Sequence, residues 1–128
     1  MISKPPARGD IFNNVKEIAF GYAESNNVSP IMDSGLNLLK LAIPGSNIAY
    51  FLTPKKMLEK AIIKCWWPDE LRPNGIAHCQ AYLDRRGYTI QIRFLAKVLP
   101  EWKSIFDKVD EYVEKLRRRG DQAAGMLD

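Results

Sequence analysis

Apolar and polar residues alternate over Ile76–Leu95, and this alternation predicts a β-hairpin. A four-residue loop over Asp84–Gly87 gives one wholly apolar face, whereas a loop one residue shorter would mix the two faces. The predicted apolar pairs are Leu83 with Tyr88, Ala81 with Ile90, Cys79 with Ile92 and Ala77 with Phe94. The other face sets His78, Gln80 and Tyr82 against Arg93, Gln91 and Thr89. A helix over residues 74–86, closed by Gly87, is the alternative.

A second hairpin is predicted from two apolar runs, Leu36–Ile43 and Ile48–Leu52, on either side of a turn centred on Gly45 and Ser46. This turn sets Ile43 against Ile48, Leu41 against Tyr50 and Leu39 against Leu52. Both faces of the pair are apolar, which indicates a central place in the sheet or an outer face that meets a partner.

Three helices are predicted from apolar residues that recur every three or four positions. The first begins at Asp10 as N-cap and ends near Ser25, with the stripe Ile11, Phe12, Val15, Ile18, Ala19 and Tyr22. The second begins at Thr53 and Pro54, with the stripe Met57, Leu58, Ala61, Ile62, Cys65 and Trp66. The third follows Pro100 and ends at Gly120, with the stripe Trp102, Ile105, Phe106, Val109, Tyr112, Val113 and Leu116.

These elements predict one α+β domain in the order helix, hairpin, helix, hairpin, helix, with an antiparallel sheet that helices cover on one face. Residues 1–9 are predicted to be a flexible arm, residues 10–120 the domain, and residues 121–128 a flexible tail. The order of elements is similar to that of class I type III secretion chaperones, which are small homodimers. The resemblance is limited to that order, because those chaperones are usually acidic and no sequence motif accompanies it.

The charge of the chain is modestly positive. Among 128 residues, 19 are Lys or Arg and 15 are Asp or Glu, which gives a net charge of +4. This surplus is compatible with a polyanionic partner without requiring one. The N-terminal residues lack the apolar segment of a secretory signal, and no apolar run is long enough for a spanning helix, so a cytoplasmic protein is predicted.

No catalytic, metal or cofactor motif is present, and the sequence predicts a protein that is not an enzyme and needs no cofactor. The chain has two cysteines and one histidine, which are too few for a disulfide framework or a complete Cys/His zinc site. His78 and Cys79 are neighbours in a predicted strand, so their side chains point to opposite faces. They are predicted to be a structural histidine and a buried thiol.

Basic residues recur in separate segments and are the candidates for binding nucleic-acid phosphates. They are Lys55, Lys56, Arg85, Arg86, Arg93, Arg117, Arg118 and Arg119. Lys55 and Lys56 would lie in the first turn of the second helix, where two cations oppose the helix dipole and an anion would offset them. For each of these residues, a solvated surface charge is the alternative.

Two functions from different classes follow from these observations. The first is a non-catalytic domain that binds DNA or RNA through phosphate contacts. The second is a protein-binding module, such as an inhibitor, adaptor or secretion-type chaperone, possessing an exposed apolar surface that includes Trp66 or Trp67. A homodimer is compatible with either function.

Overall fold

The computed structural model describes residues 8–43, 45–57, 60–67, 76–85 and 88–127, with side chains described from residue 11 to residue 120 of these ranges. Its elements are α1 (Arg8–Ser25), β1 (Ile31–Asp33), β2 (Leu38–Ala42), β3 (Ile48–Leu52), β4 (Ala61–Trp66), β5 (His78–Arg85), β6 (Tyr88–Leu95), a 3₁₀ helix (Ala96–Glu101) and α2 (Trp102–Leu127). The six strands form one antiparallel sheet in the order β1-β2-β3-β4-β5-β6. Each strand therefore pairs with its neighbour in the sequence.

Each face of the sheet is covered by one helix, so the prediction of helices on a single face is wrong. On the face that we call the α1 face, Leu41, Tyr50 and Ile62 pack with Phe12 and other residues of α1. On the opposite face, the α2 face, the core includes Leu38, Phe51, Ile63, Ala81 and Leu83 together with Leu99, Trp102 and Phe106. Strands β3 and β4 bury side chains on both faces, and apolar surface on both sides requires a cover on both.

The predicted order with a middle helix is wrong, because Ala61–Trp66 is the central strand β4. This segment is apolar at consecutive positions, and such a run satisfies helical spacing as well as strand spacing. Adjacent Ile62 and Ile63 are both buried, one on each face of the sheet, and β-branched side chains fit a strand better than a helix. The similarity to class I type III secretion chaperones rested on the predicted order and is lost with it.

The hairpin predicted from Leu36–Ile43 and Ile48–Leu52 has the correct register. Leu41 lies opposite Tyr50 and Leu39 opposite Leu52, and the Ile43 N–H donates to the Ile48 carbonyl at 3.3 Å.

The hairpin predicted over Ile76–Leu95 is shifted by two residues, and its alternative, a helix over residues 74–86, is wrong across β5. In the structure Leu83 lies opposite Ile90 and Arg85 opposite Tyr88, so the connection is two residues long instead of four. A shift of two residues returns every side chain to its own face. The predicted apolar and polar faces are therefore correct, although every pair across them is wrong.

The two helices differ from the predictions at their ends and in their buried stripes. Helix α1 begins at Arg8, and its fully buried residues are Phe12, Ala19 and Ala23, whereas Ile18 and Tyr22 are each 52% exposed. Helix α2 does not end at Gly120 but continues to Leu127. Residues 1–7 of the predicted N-terminal arm lie outside the described residues.

Cys65 and Cys79 form a disulfide, which corrects the prediction of a buried thiol. They are directly opposite each other on β4 and β5, with their Cα atoms 4.0 Å apart. Both residues are fully buried in the core beneath α2. The disulfide therefore links two neighbouring strands, β4 and β5, inside the core.

Reduction of this disulfide is expected to lower the free energy of unfolding. The two cysteines are 14 positions apart, and a loop of about that length corresponds to roughly 3 kcal/mol in the chain-entropy model. Urea denaturation with and without a reductant measures the difference, with the Cys65→Ala/Cys79→Ala double variant as a control that cannot respond to reductant. A wild-type protein with the same stability in both conditions would contradict the prediction.

Candidate nucleic-acid interface

Helix α1 leaves one half of the α1 face open. The helix crosses β6, β5, β4 and β2, and its residue Phe12 lies beside Leu52 and Ile62, where β3 ends and β4 begins. The opposite ends of the strands carry side chains that are exposed or half-buried. We call the exposed and half-buried side chains of β4, β5 and β6 in this half the open surface; they are Lys64, Trp66, His78, Gln80, Arg93 and Leu95.

The sheet register brings aromatic and basic side chains of the open surface together. Trp66 lies opposite His78, and Gln80 lies between Lys64 and Arg93 in the adjacent row. The rings of Trp66 and His78 are stacked, with centroids 4.8 Å apart and planes 17° apart. Lys64 Nζ lies 4.8 Å from the Trp66 ring centroid, within the range of a cation–π interaction.

The open surface contains two cations and no acidic side chain. Asp84, which belongs to the same face of β5, lies at the opposite end of that strand, six positions from His78. Because no carboxylate among the described residues pairs with Lys64 or Arg93, the surface can attract an anion. An aromatic stack beside two cations matches the chemistry of a nucleotide, which has a flat base and a charged phosphate.

A second basic feature on the α1 face is a cavity of about 310 Å³ beside the N-terminal half of α1. Three of its lining residues are lysines, Lys16, Lys55 and Lys60. The Thr53 hydroxyl, which also lines the cavity, accepts a hydrogen bond from the Ala61 N–H at 3.0 Å. This cavity lies at the opposite end of β4 from the open surface.

The eight predicted basic residues do not come together. Lys55 and Lys56 lie in a loop between β3 and β4, so the argument from a helix N-terminus is wrong. Lys55 lines the lysine cavity, Lys56 is exposed, and Arg93 belongs to the open surface. Arg86 lies outside the described residues.

The remaining predicted arginines are on the side of α2, and most of them form ion pairs. Arg85 forms a two-point ion pair with Asp110 of α2, with both N–O distances at 2.8 Å. Arg117 and Arg118 pair with Glu114 at 3.0 and 3.5 Å, and Arg119 is exposed. The Arg85 pair holds α2 against the sheet, so it has a structural role.

The two tryptophans have different environments. Trp67 packs against the α2-face core, where its ring meets Phe51 edge-on at 6.4 Å, and its carbonyl accepts a hydrogen bond from the Asn47 side chain. Trp66 is half-buried within the open surface. Of the two predicted partner-binding tryptophans, only Trp66 therefore belongs to this candidate site.

Lys64 was not predicted as a site residue, and His78 was predicted only as structural. Both omissions have one cause. The segment of β4 was predicted to be a helix, and a helix would not pair Lys64 and Trp66 with β5. Reading Ala61–Trp66 as a strand would have placed Lys64 and Trp66 on one face, two positions apart.

The pKa values of Tyr50 and Glu114 are shifted. Burial raises the pKa of Tyr50, with smaller contributions from Tyr22 and Tyr82. A hydrogen bond from Arg117 lowers the pKa of Glu114, and the charges of Arg117 and Arg118 lower it further.

Loss of the Arg85–Asp110 ion pair is expected to lower the free energy of unfolding by about 1–2 kcal/mol, because the pair is partly buried and hydrogen-bonded at two points. Arg85→Ala and Asp110→Ala test this in urea denaturation. Arg118→Ala removes an exposed pair and is expected to change stability by less than about 0.5 kcal/mol. Equal effects of Arg85→Ala and Arg118→Ala would contradict the structural role of Arg85.

Tyr50 is expected to make the fold sensitive to alkali. Since its pKa is higher in the folded than in the unfolded state, its contribution is fully present below the ordinary tyrosine pKa of about 10 and is lost as the pH rises through the folded-state pKa. Above about pH 10 the free energy of unfolding should therefore fall less steeply with pH in Tyr50→Phe than in the wild type. Tyr112→Phe is the control for removal of an exposed hydroxyl. Identical slopes for Tyr50→Phe and wild type would contradict this assignment.

No protein-family model matches the chain, and no curated protein or solved structure matches it significantly. Within the described ranges, no three His, Cys, Asp or Glu side chains are grouped as metal ligands would be. Among the described residues, neither α1 nor α2 has the length and apolar character that crossing a membrane requires.

Proposed function

We propose that the protein is a non-catalytic domain that binds single-stranded nucleic acid on the open surface of its sheet. The supporting observation is the stack of Trp66 on His78 beside Lys64 and Arg93, with no acidic residue among them. Bases of a single strand are accessible for stacking, whereas those of a duplex are stacked on each other. This favours single-stranded over double-stranded ligands.

Each side chain has a role that its chemistry allows. His78 is exposed, so a base can extend the Trp66–His78 stack from that side. Lys64 and Arg93, which flank Gln80 on neighbouring strands, contact phosphates. Stacking by itself tolerates any base. The Gln80 amide can donate hydrogen bonds to base edges and accept them, so a weak sequence preference is expected.

The lysine cavity offers a second phosphate contact. Ile62, which lines it, is four positions from Trp66 along β4, a distance of about 13 Å. A nucleic-acid backbone longer than this distance can contact the open surface beside Trp66 at one end and the lysine cavity at the other. Short oligonucleotides are therefore expected to bind more weakly than longer ones.

The proposal predicts binding that weakens with added salt and depends on three side chains. In fluorescence anisotropy with a labelled single-stranded oligonucleotide, Lys64→Ala/Arg93→Ala should reduce the slope of log K against log salt by about 1.4, since each phosphate contact contributes about 0.7. Trp66→Ala should weaken binding by roughly 5- to 150-fold, the effect of losing about 1–3 kcal/mol of stacking.

The matched control is Arg117→Ala/Arg118→Ala, which removes the same amount of charge from α2 and should leave the affinity almost unchanged. Circular dichroism checks that each variant is folded. Absence of wild-type binding at low salt would overturn the proposal. An unchanged slope for Lys64→Ala/Arg93→Ala would remove the open surface from the contact.

A cytoplasmic location is part of this proposal, and the disulfide provides its test. Disulfides such as Cys65–Cys79 persist in oxidising compartments and are rare in the cytosol of most organisms. Acid quenching of the cells, alkylation of free thiols under denaturing conditions and mass measurement of the unreduced protein show which state is present, because denaturation exposes the two cysteines that the fold buries. A fully alkylated protein would agree with the cytoplasm, and an unmodified one would indicate an oxidising compartment.

A further inference from the structure

Helix α2 crosses the sheet and continues past its edge. At its start, Trp102 Nε1 donates to the Leu36 carbonyl, in the loop between β1 and β2, at 2.8 Å. Further along, Asp110 pairs with Arg85 at the end of β5, and Val113 lines a groove with Ile90 of β6. The eleven positions from Trp102 to Val113 correspond to about 16 Å along the helix axis. The width of the sheet from β2 to β6 is roughly 19 Å, so this part of α2 is nearly long enough to cross these strands.

The rest of α2 extends beyond β6. From Lys115 to Gly120 every residue is exposed, and the helix continues to Leu127. The fourteen positions after Val113 correspond to about 21 Å, or the width of about four further strands. We call this part of α2 the overhang.

The surface below the start of the overhang is apolar. A groove of about 450 Å³ lies between α2 and β6, lined by Ile90, Ile92, Ile105, Lys108, Val109, Tyr112 and Val113. Tyr112 is 63% exposed, and Leu116, one turn further along α2, is 46% exposed. The predicted apolar stripe of α2 is thus buried at its beginning and exposed at its end.

The edge of the sheet next to this groove is long and weakly protected. Strand β6 has eight residues and, within the part of the chain that the structure describes, β5 is its only partner strand. It contains one charged residue, Arg93, and no proline, whereas natural edge strands are usually short, charged or interrupted by proline. The other edge strand, β1, has only three residues and includes Asp33.

We propose that a second copy of the chain pairs with β6 in the antiparallel direction, so that the two sheets join and each overhang covers the α2 face of its partner. A two-fold axis perpendicular to the sheet produces both contacts at once, since the same surface supplies the open edge, the groove and the overhang. A single strand from another protein would pair with the edge but would cover only about a quarter of the width beneath the overhang. This difference favours a second copy as the occupant.

The charges on β6 are compatible with this pairing. If the axis passes through Ile92, Ile90 faces Phe94 of the partner subunit and Arg93 faces Gln91 of the partner subunit, so no like charges are opposed. The interface uses the edge of the sheet and its α2 face, whereas the open surface belongs to the α1 face. Arg93 of β6 belongs to both surfaces, whereas Tyr112 and Leu116 of α2 belong to the dimer contact alone, so their substitution tests the dimer without altering the open surface.

Sedimentation velocity of nuclease-treated protein over a range of concentrations tests the dimer. The wild type is expected to reach twice the chain mass of 14.6 kDa, and Tyr112→Glu/Leu116→Glu should weaken the association at least tenfold while the circular dichroism spectrum stays the same. Ile18→Glu/Tyr22→Glu is the matched control, because it places the same two charges, four positions apart, at exposed side chains of α1 and should leave the dimer intact.

Hydrogen exchange of the β6 amides provides a second readout that does not depend on any substitution. Amides on the outer edge of β6 should exchange more slowly as the protein concentration rises. A wild type that remains monomeric at all concentrations would overturn the proposal. A dimer that Tyr112→Glu/Leu116→Glu leaves unchanged, with β6 exchange independent of concentration, would also overturn it.

Discussion

The burial of β3 and β4 on both faces is the constraint on which the rest of this structure depends. Ile62 and Ile63 are consecutive, point to opposite faces, and are both almost fully buried. A sheet with apolar side chains on both faces is stable in water only if each face is covered. One helix at each end of the chain meets this requirement, since α1 packs on one face and α2 on the other.

The two helices cover the sheet to different extents, and the functional proposals depend on that difference. Helix α1 packs through Phe12, Ala19 and Ala23 near one end of the strands, and the other half of that face carries Lys64, Trp66 and His78. Helix α2 packs through Trp102 and Phe106, and its later turns continue beyond β6. The exposed surfaces at which we propose binding are therefore the places where coverage by a helix ends.

The sequence was sufficient to predict what depends on alternation alone. Alternation assigned residues of β5 and β6 to their correct faces, although the register was displaced by two. Pairing was predicted correctly for Leu41 with Tyr50, because the turn at Gly45 and Ser46 fixes that register. What could not be predicted depends on the central strand: a continuously apolar run such as Ala61–Trp66 has no period that distinguishes helix from strand. Without β4, neither the disulfide partner of Cys79 nor the cluster around Trp66 could be found.

The disulfide also changes what a single proteolytic cut does to the chain. It joins β4 to β5 around the segment of residues 66–78, so this part of the chain is a closed covalent ring. A protease that cuts one peptide bond between the two cysteines opens the ring without dividing the molecule. The two fragments would stay joined through sulfur, each still contributing a strand to the same sheet, and would separate in denaturant only after reduction.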